Sequence, residues 1–117
     1  MGRRSDNMIT EQEIQRCFDY LRDSASEIAD ARHDKVRLDE LRKVIWSELR
    51  LQAPDGTASD KDSWAYAHET YKEHVEKMAD AARKFQFLYS MREAASSKIA
   101  AWQTASANER GAHRAVS

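Results

Sequence analysis

The chain has 117 residues with 19 basic and 20 acidic side chains and a net charge of −1, a balance that disfavours a general polyanion binder with its clear basic excess. The length fits one domain, and the single cysteine, Cys17, excludes an internal disulfide and fits a reducing compartment. Three scattered glycines cannot form a glycine-rich phosphate loop.

The first predicted helix spans residues 10–52 and follows a flexible N-terminus at residues 1–9. Thr10 and Glu13 match the two ends of a capping box. The apolar residues that follow recur mostly every three or four positions, as on one helical face: Ile14, Phe18, Leu21, Ala25, Ile28, Ala29, Val36, Leu38, Leu41, Ile45 and Leu49. No glycine or proline interrupts this stretch, so a continuous helix is expected. A kink near Ser24 is the alternative, because Ser24–Glu27 repeats the capping-box pattern.

A turn at residues 54–56 separates this helix from the second, and Gly56 there can adopt a positive φ. The second helix is predicted over residues 60–108, with an N-cap at Ser59 and with Ser63 as the rival start. Its stripe, again at spacings of three and four, contains Trp64, Ala67, Tyr71, Val75, Met78, Ala82, Phe85, Leu88, Arg92, Ala95, Ile99 and Trp102. Gly111 is expected to stop the helix, and residues 111–117 to form a flexible tail.

These elements predict an all-α fold: two long antiparallel helices that form a coiled-coil-like α-hairpin over residues 10–110. Equal rise along both arms requires paired residue numbers to add up to about 112, which places Trp46 near Tyr66 and Ile14 near Ile99. A lone two-helix rod buries little of each helix, so we expect self-association into a helical bundle, most simply a homodimer.

Four aromatic residues lie off the main stripes and need a second surface to cover them. They are Trp46, Tyr66, Phe87 and Tyr89. We predict that they bind a partner protein, because large aromatic side chains dominate interface energetics.

Six basic residues on two helical sectors form a candidate nucleic-acid contact: Arg32, Lys35, Arg42, Lys43, Arg83 and Lys84. Acidic residues are interleaved with those of the first helix, so an ordinary mixed surface is the competing interpretation. Direct nucleic-acid binding is therefore an alternative function, not the leading one.

The residue patterns predict no catalytic, cofactor-binding or metal-binding residue. His68 and His74 are six apart and diverge by about 120° around a helix, which disfavours a shared metal ion. The paired carboxylates have basic neighbours at helical spacing and are typical of a solvated face. We therefore expect no enzyme activity, no cofactor and no small-molecule substrate. No stretch approaches about 18 consecutive apolar residues, so no membrane span is expected.

Three stretches, which together consist mainly of alanine and arginine with one tryptophan, resemble stretches of other proteins. They are Phe18–Ala25 continuing to Ala29 with Ala31, Arg32, Leu38 and Leu41–Lys43; Ala67 with Tyr71; and Ile99–Thr104 with Ala107–Arg110. In these stretches the chain resembles a family of small helical phage and prophage proteins, often encoded near DNA recombination or replication genes. The resemblance implies a location in the cytoplasm of a bacterial host, but neither an established mechanism nor a catalytic residue.

Together these features favour a non-enzymatic phage accessory protein that binds a protein or protein–DNA complex in phage DNA recombination or replication. Inhibition of a host defence system, in the manner of an anti-CRISPR protein, is an alternative function. Direct nucleic-acid binding is a further one.

Overall fold

The structure, a computed structural model, describes residues 9–116. Within that range the chain forms no strand and four α-helices: α1 (Glu11–Asp23), α2 (Ala25–Gln52), α3 (Ala58–Ala67) and α4 (Glu69–Val116). The all-α prediction is confirmed. The prediction of two long uninterrupted helices is wrong, because the first divides at Ser24 and the second at His68. Residues 1–8 of the predicted flexible N-terminus lie outside the described range.

The chain divides into two compact units. The terminal unit combines the described parts of Met1–Glu27 and Leu88–Ser117, and the central unit is Ile28–Phe87. Helix α4 contributes residues to both units, so each unit contains helices from both halves of the sequence.

The terminal unit has a small apolar core between α1 and α4. Ile14 and Cys17 from α1 are buried with Ala95 and Ile99 from α4. The partly buried residues Ile9, Tyr20, Leu21 and Trp102 pack against this cluster. Ile14 and Ile99 therefore share one core, as the predicted pairing requires.

Arg92 stabilises the interruption between α1 and α2. Its Nη1 donates hydrogen bonds to the Leu21 carbonyl oxygen and to Ser24 Oγ, both at 2.7 Å. The Ser24 hydroxyl in turn donates to the Tyr20 carbonyl at 2.6 Å. The last carbonyls of a helix have no intrahelical donor, so the guanidinium of α4 supplies one for α1. Ser24 thus closes the preceding helix, a role different from the capping of the next helix that its sequence pattern indicates.

In the central unit, α2 packs against α3 and α4 around Ala31, Leu49, Ala65 and His74, all buried. The Nε2 of His74 donates to the Leu38 carbonyl at 2.6 Å, which gives this buried imidazole a backbone partner. The residue numbers of Leu38 and His74 add up to 112, as do those of Trp46 and Tyr66, whose rings are in contact. The predicted antiparallel register holds within this unit.

Helix α3 begins earlier than predicted, because Thr57 caps it. Thr57 Oγ1 accepts from the Asp60 amide and Asp60 Oδ2 accepts from the Thr57 amide, each at 3.1 Å, which completes a capping box. The predicted N-cap at Ser59 is therefore wrong. Gly56 does not have a positive φ. A Cβ atom there would lie 3.2 Å from the Asp60 Cβ, so glycine instead leaves room for the capping side chain.

His68 separates α3 from α4 without any glycine or proline. Its backbone is extended, with φ −70° and ψ 141°. Its Nδ1 accepts a hydrogen bond from the Thr70 amide at 3.1 Å, and its carbonyl accepts from the Lys72 amide at 3.1 Å. These are the bonds of an N-cap residue, so His68 starts α4. The Trp64 ring, 5.0 Å from the imidazole, packs against it.

Helix α4 continues to Val116, past the predicted end near Asn108. Gly111 lies inside this helix rather than after it. A glycine in a helix interior costs about 1 kcal/mol relative to alanine, and α4 continues across Gly111 despite this cost.

We expect Arg92→Met to lower the free energy of unfolding by about 2–3 kcal/mol, because it leaves the Leu21 carbonyl and the Ser24 hydroxyl without their charged donor. Urea unfolding followed by circular dichroism measures the change. Arg83→Met is the matched control, because Arg83 forms an exposed ion pair with Asp80 and its loss should cost less than about 1 kcal/mol. Equal effects of the two substitutions would contradict the capping role of Arg92.

We expect His68→Ala to destabilise the protein by about 1 kcal/mol relative to His68→Asn. Both substitutions remove the ring contact with Trp64, but asparagine retains a side-chain acceptor for the Thr70 amide. The difference between the two variants therefore isolates the cap. Thermal unfolding measures it, and coincident transitions would show that the Nδ1 hydrogen bond does not hold the start of α4.

Candidate binding cleft

Three aromatic rings from three different helices meet in the central unit. Trp46 of α2 and Tyr66 of α3 have ring centroids 5.8 Å apart, and the Tyr66 ring meets Tyr71 of α4 edge-on at 5.3 Å and 87°. Edge-to-face and tilted pairs at these separations are favourable aromatic geometries. The three side chains therefore form a continuous aromatic row.

The aromatic row forms one wall of a small cleft, which we call the aromatic cleft. The cleft has a volume of about 250 Å³ and is lined by Arg42, Lys43, Trp46, Ser47, Tyr66 and Tyr71. Tyr66 keeps 53% of its surface exposed. The lining combines large rings with two cations and three hydroxyl groups, and it includes no carboxylate.

Trp46 also borders a second, larger cleft of about 390 Å³. Arg50 lies 5.1 Å from the centre of the Trp46 ring, a cation–π distance. Its Nε is 2.6 Å from Asp62 Oδ1; the two groups form an ion pair although the N–H direction is poor for a hydrogen bond. Leu51, which borders the same cleft, is 87% exposed. Arg50 thus holds one side of the Trp46 ring while apolar surface remains open beside it.

Two hydrogen-bond donors in the lining residues of the aromatic cleft have no acceptor. Arg42 Nε and Trp46 Nε1 are both buried, and neither finds a hydrogen-bond partner among residues 9–116. The carboxylate nearest to Arg42 Nε is that of Asp39, at 3.9 Å. A buried donor without an acceptor costs about 1–3 kcal/mol, so such groups in a native structure call for an explanation.

The four aromatic residues predicted to bind a partner separate into different places. Trp46 and Tyr66 lie together in the aromatic cleft. Phe87 is 63% exposed but lies sixteen residues beyond Tyr71 on α4, which is about 24 Å along the helix. Tyr89 is exposed and belongs to the terminal unit. The structure therefore brings two of the four together.

The predicted basic residues do not form one surface either. Arg42 and Lys43 line the aromatic cleft, and each pairs loosely with an exposed carboxylate outside the lining, Asp39 at 3.9 Å and Glu40 at 4.0 Å. Arg32 and Lys35 lie about 15 Å or less from Arg42 along α2, with their cations 5.4 Å and 5.1 Å from the centre of the Phe85 ring. Exposed Arg83 pairs with Asp80 at 3.7 Å, and Lys84 is exposed on the same helix.

Sequence patterns did not indicate the roles of Tyr71 and Arg50 in the two clefts. Residues 66 and 71 are five apart, so on an unbroken helix their side chains would diverge by about 140°. The interruption at His68 removes that separation and lets the rings meet. The charge of Arg50 gave no sign that it would lie over Trp46, because that contact depends on the pairing with Asp62 across the turn.

No group of three or more histidine, cysteine, aspartate or glutamate side chains within residues 9–116 is arranged to hold a metal ion. No helix in that range is both long and apolar enough to cross a membrane. The case for the aromatic cleft comes from its own ring contacts and lining residues.

Comparison with known proteins adds no second line of support. No family model matches the chain, and no similar curated protein or solved structure was found.

Proposed function

We propose that this protein is a non-enzymatic binding protein that docks a partner protein in the aromatic cleft. The observation that carries the proposal is the row of Trp46, Tyr66 and Tyr71, half exposed at its centre and flanked by Arg42. Tryptophan, tyrosine and arginine are the residues that most often dominate binding energy at protein interfaces. The lining offers rings, cations and hydroxyl groups, and it holds no carboxylate or histidine that would transfer a proton to a bound substrate.

The size of the cleft supports a protein partner over a small molecule. Sites for drug-sized ligands typically have volumes of about 300–1,000 Å³, and the aromatic cleft has about 250 Å³. That volume suits one or two side chains of a larger surface. The open apolar surface of Leu51 beside Trp46 would extend the same contact.

The resemblance to phage proteins supports the biological setting of this proposal. It favours a partner that belongs to phage DNA recombination or replication, in the cytoplasm of a bacterial host. A component of a host defence system is the alternative partner, and a second copy of this chain is another, as the predicted homodimer requires.

Direct nucleic-acid binding has weaker support. Arg32 and Lys35 lie over the Phe85 ring, so their charges already face an aromatic partner within the protein. Carboxylates accompany Arg42, Lys43 and Arg83, and a bound phosphate backbone would have to pass them. If nucleic acid is nevertheless the ligand, its affinity must fall steeply with added salt, since released counterions drive such binding.

We expect Tyr66→Ala to abolish or weaken partner binding by at least about 30-fold, the loss typical of a central interface residue. The measurement is co-purification of tagged full-length protein from phage-infected host cells, followed by titration of the recovered partner. Phe87→Ala is the matched control, because it removes an aromatic residue outside the cleft that is also more than half exposed. Light scattering of the purified protein and of Tyr66→Ala tests the second-copy alternative through the molar mass.

Three outcomes would count against the proposal. One is a partner that binds Tyr66→Ala and wild type equally. Another is a partner lost with Phe87→Ala but kept with Tyr66→Ala, which would place the binding site at Phe87 instead of the aromatic cleft. The third is a salt-sensitive gel shift with DNA in the absence of any bound protein, which would favour the nucleic-acid alternative.

A further inference from the structure

The aromatic cleft presents donors and positive charge without a matching acceptor. Arg42 Nε and Trp46 Nε1 are buried N–H groups with no acceptor among the described residues. Arg42 and Lys43 bring two positive charges to a lining that includes no carboxylate. A partner with a negatively charged acceptor would accept hydrogen bonds from these N–H groups and would also offset the positive charge.

The nearby carboxylates of the protein itself do not satisfy these groups. Asp39 Oδ1 is 3.9 Å from Arg42 Nε, beyond the roughly 3.2 Å limit of an N–H···O hydrogen bond. Glu40 Oε2 is 4.0 Å from Lys43 Nζ, and both side chains are exposed. Exposed ion pairs at such distances are weak, so the two cations remain available to another anion.

We propose that the aromatic cleft binds a carboxylate side chain of the partner protein, with an apolar neighbour of that side chain seated on the rings of Trp46 and Tyr66. This inference rests on the proposed protein-binding function and specifies its chemistry. An ionised carboxylate is acceptor-only and has two oxygens, which suits two separate N–H donors. Its hydrogen bonds with arginine are among the strong ones because both groups are charged.

Binding requires a local rearrangement of side chains. Both donor atoms are covered in the unbound protein, so an incoming oxygen reaches them after the Arg42 side chain turns. Arg42 is partly exposed and lacks a close partner at Nε, so no short contact at that atom holds its rotamer, whereas Tyr66 is held between two rings. Rotamer changes of this kind are common where protein interfaces form.

A carboxylate fits the cleft better than the phosphates of a nucleic acid. Asp39 and Glu40 flank the two cations, and a chain of phosphates would bring repeated negative charge against them. A single carboxylate occupies only one position beside the two cations, so it does not bring this repeated charge. The small volume of the cleft also suits one side chain and its apolar neighbour.

The test uses the indole N–H resonance of Trp46 in the full-length, ¹⁵N-labelled protein, with those of Trp64 and Trp102 as internal references. The probes are the peptide acetyl-Ala-Leu-Glu-Phe-Glu-Ala-amide and its counterpart with both glutamates replaced by glutamine. We expect the acidic peptide to shift the Trp46 resonance saturably and the neutral peptide to bind at least about tenfold more weakly. Arg42→Gln should remove this preference. Arg83→Gln should retain it, because Arg83 has a comparable aspartate neighbour three residues earlier but lies outside the cleft.

Equal binding of the two peptides, or no saturable shift of Trp46 by the acidic peptide up to millimolar concentration, would overturn the inference. A single-stranded oligonucleotide that shifts Trp46 at lower concentration than the acidic peptide would also overturn it, in favour of phosphate. The recovered partner separates this inference from the proposed function. If Tyr66→Ala loses that partner while Arg42→Gln keeps it, the carboxylate inference fails and the docking function stands; if both variants keep it, both proposals fail.

Discussion

The hydrogen bond from the Thr70 amide to His68 Nδ1 is the interaction on which the aromatic cleft depends. It satisfies a backbone donor that the start of a helix would otherwise leave without a partner. The chain can therefore leave the helical path at His68 although no glycine or proline is present. Because α4 starts anew there, Tyr66 and Tyr71 meet edge-on instead of facing directions about 140° apart.

At the other interruption Arg92 supplies the hydrogen-bond donor that the end of α1 lacks, and it does so from a distant part of the sequence. Its guanidinium reaches from α4 to the last carbonyls of α1 and to Ser24. Arg92 occupies a position in the apolar stripe of the second predicted helix, where a charge is out of place. A charged residue in such a stripe can indicate a backbone interruption on the facing helix, because an interrupted helix exposes carbonyls that need a buried donor.

Periodicity was sufficient to predict helical structure and the antiparallel pairing, but only part of the buried faces, because Phe18, Val36 and Val75 of the predicted stripes are exposed. It correctly placed Trp46 beside Tyr66 and Ile14 with Ile99. Periodicity gave the interruption near Ser24 only as an alternative and did not indicate the one at His68, because the stabilising groups act through tertiary contacts or through a histidine, an uncommon capping residue. Gly111 was misleading for the converse reason: a glycine permits a helix to end but does not force it to, and α4 continues to Val116.

Four of the six residues that line the cleft were also accessible to sequence reasoning. Trp46, Tyr66, Arg42 and Lys43 stood out by residue type and by position off the stripes, whereas Tyr71 was assigned to the core stripe. What the sequence could not supply was which aromatic surfaces remain available. Arg32 and Lys35 cover Phe85, and Arg50 covers one side of Trp46.

The cations of α2 thus protect two rings from water while leaving a third open. Tyr66 contacts aromatic rings on two sides and still exposes half of its surface. An aromatic residue that is held in place by its neighbours loses little entropy when a partner covers it. Beside it, Arg42 Nε and Trp46 Nε1 remain without acceptors, a cost that the fold bears in the unbound state. A rigid ring next to donors without acceptors favours a partner that combines apolar surface with a hydrogen-bond acceptor. This combination of an exposed ring with free N–H groups distinguishes the aromatic cleft from the other exposed apolar side chains described here.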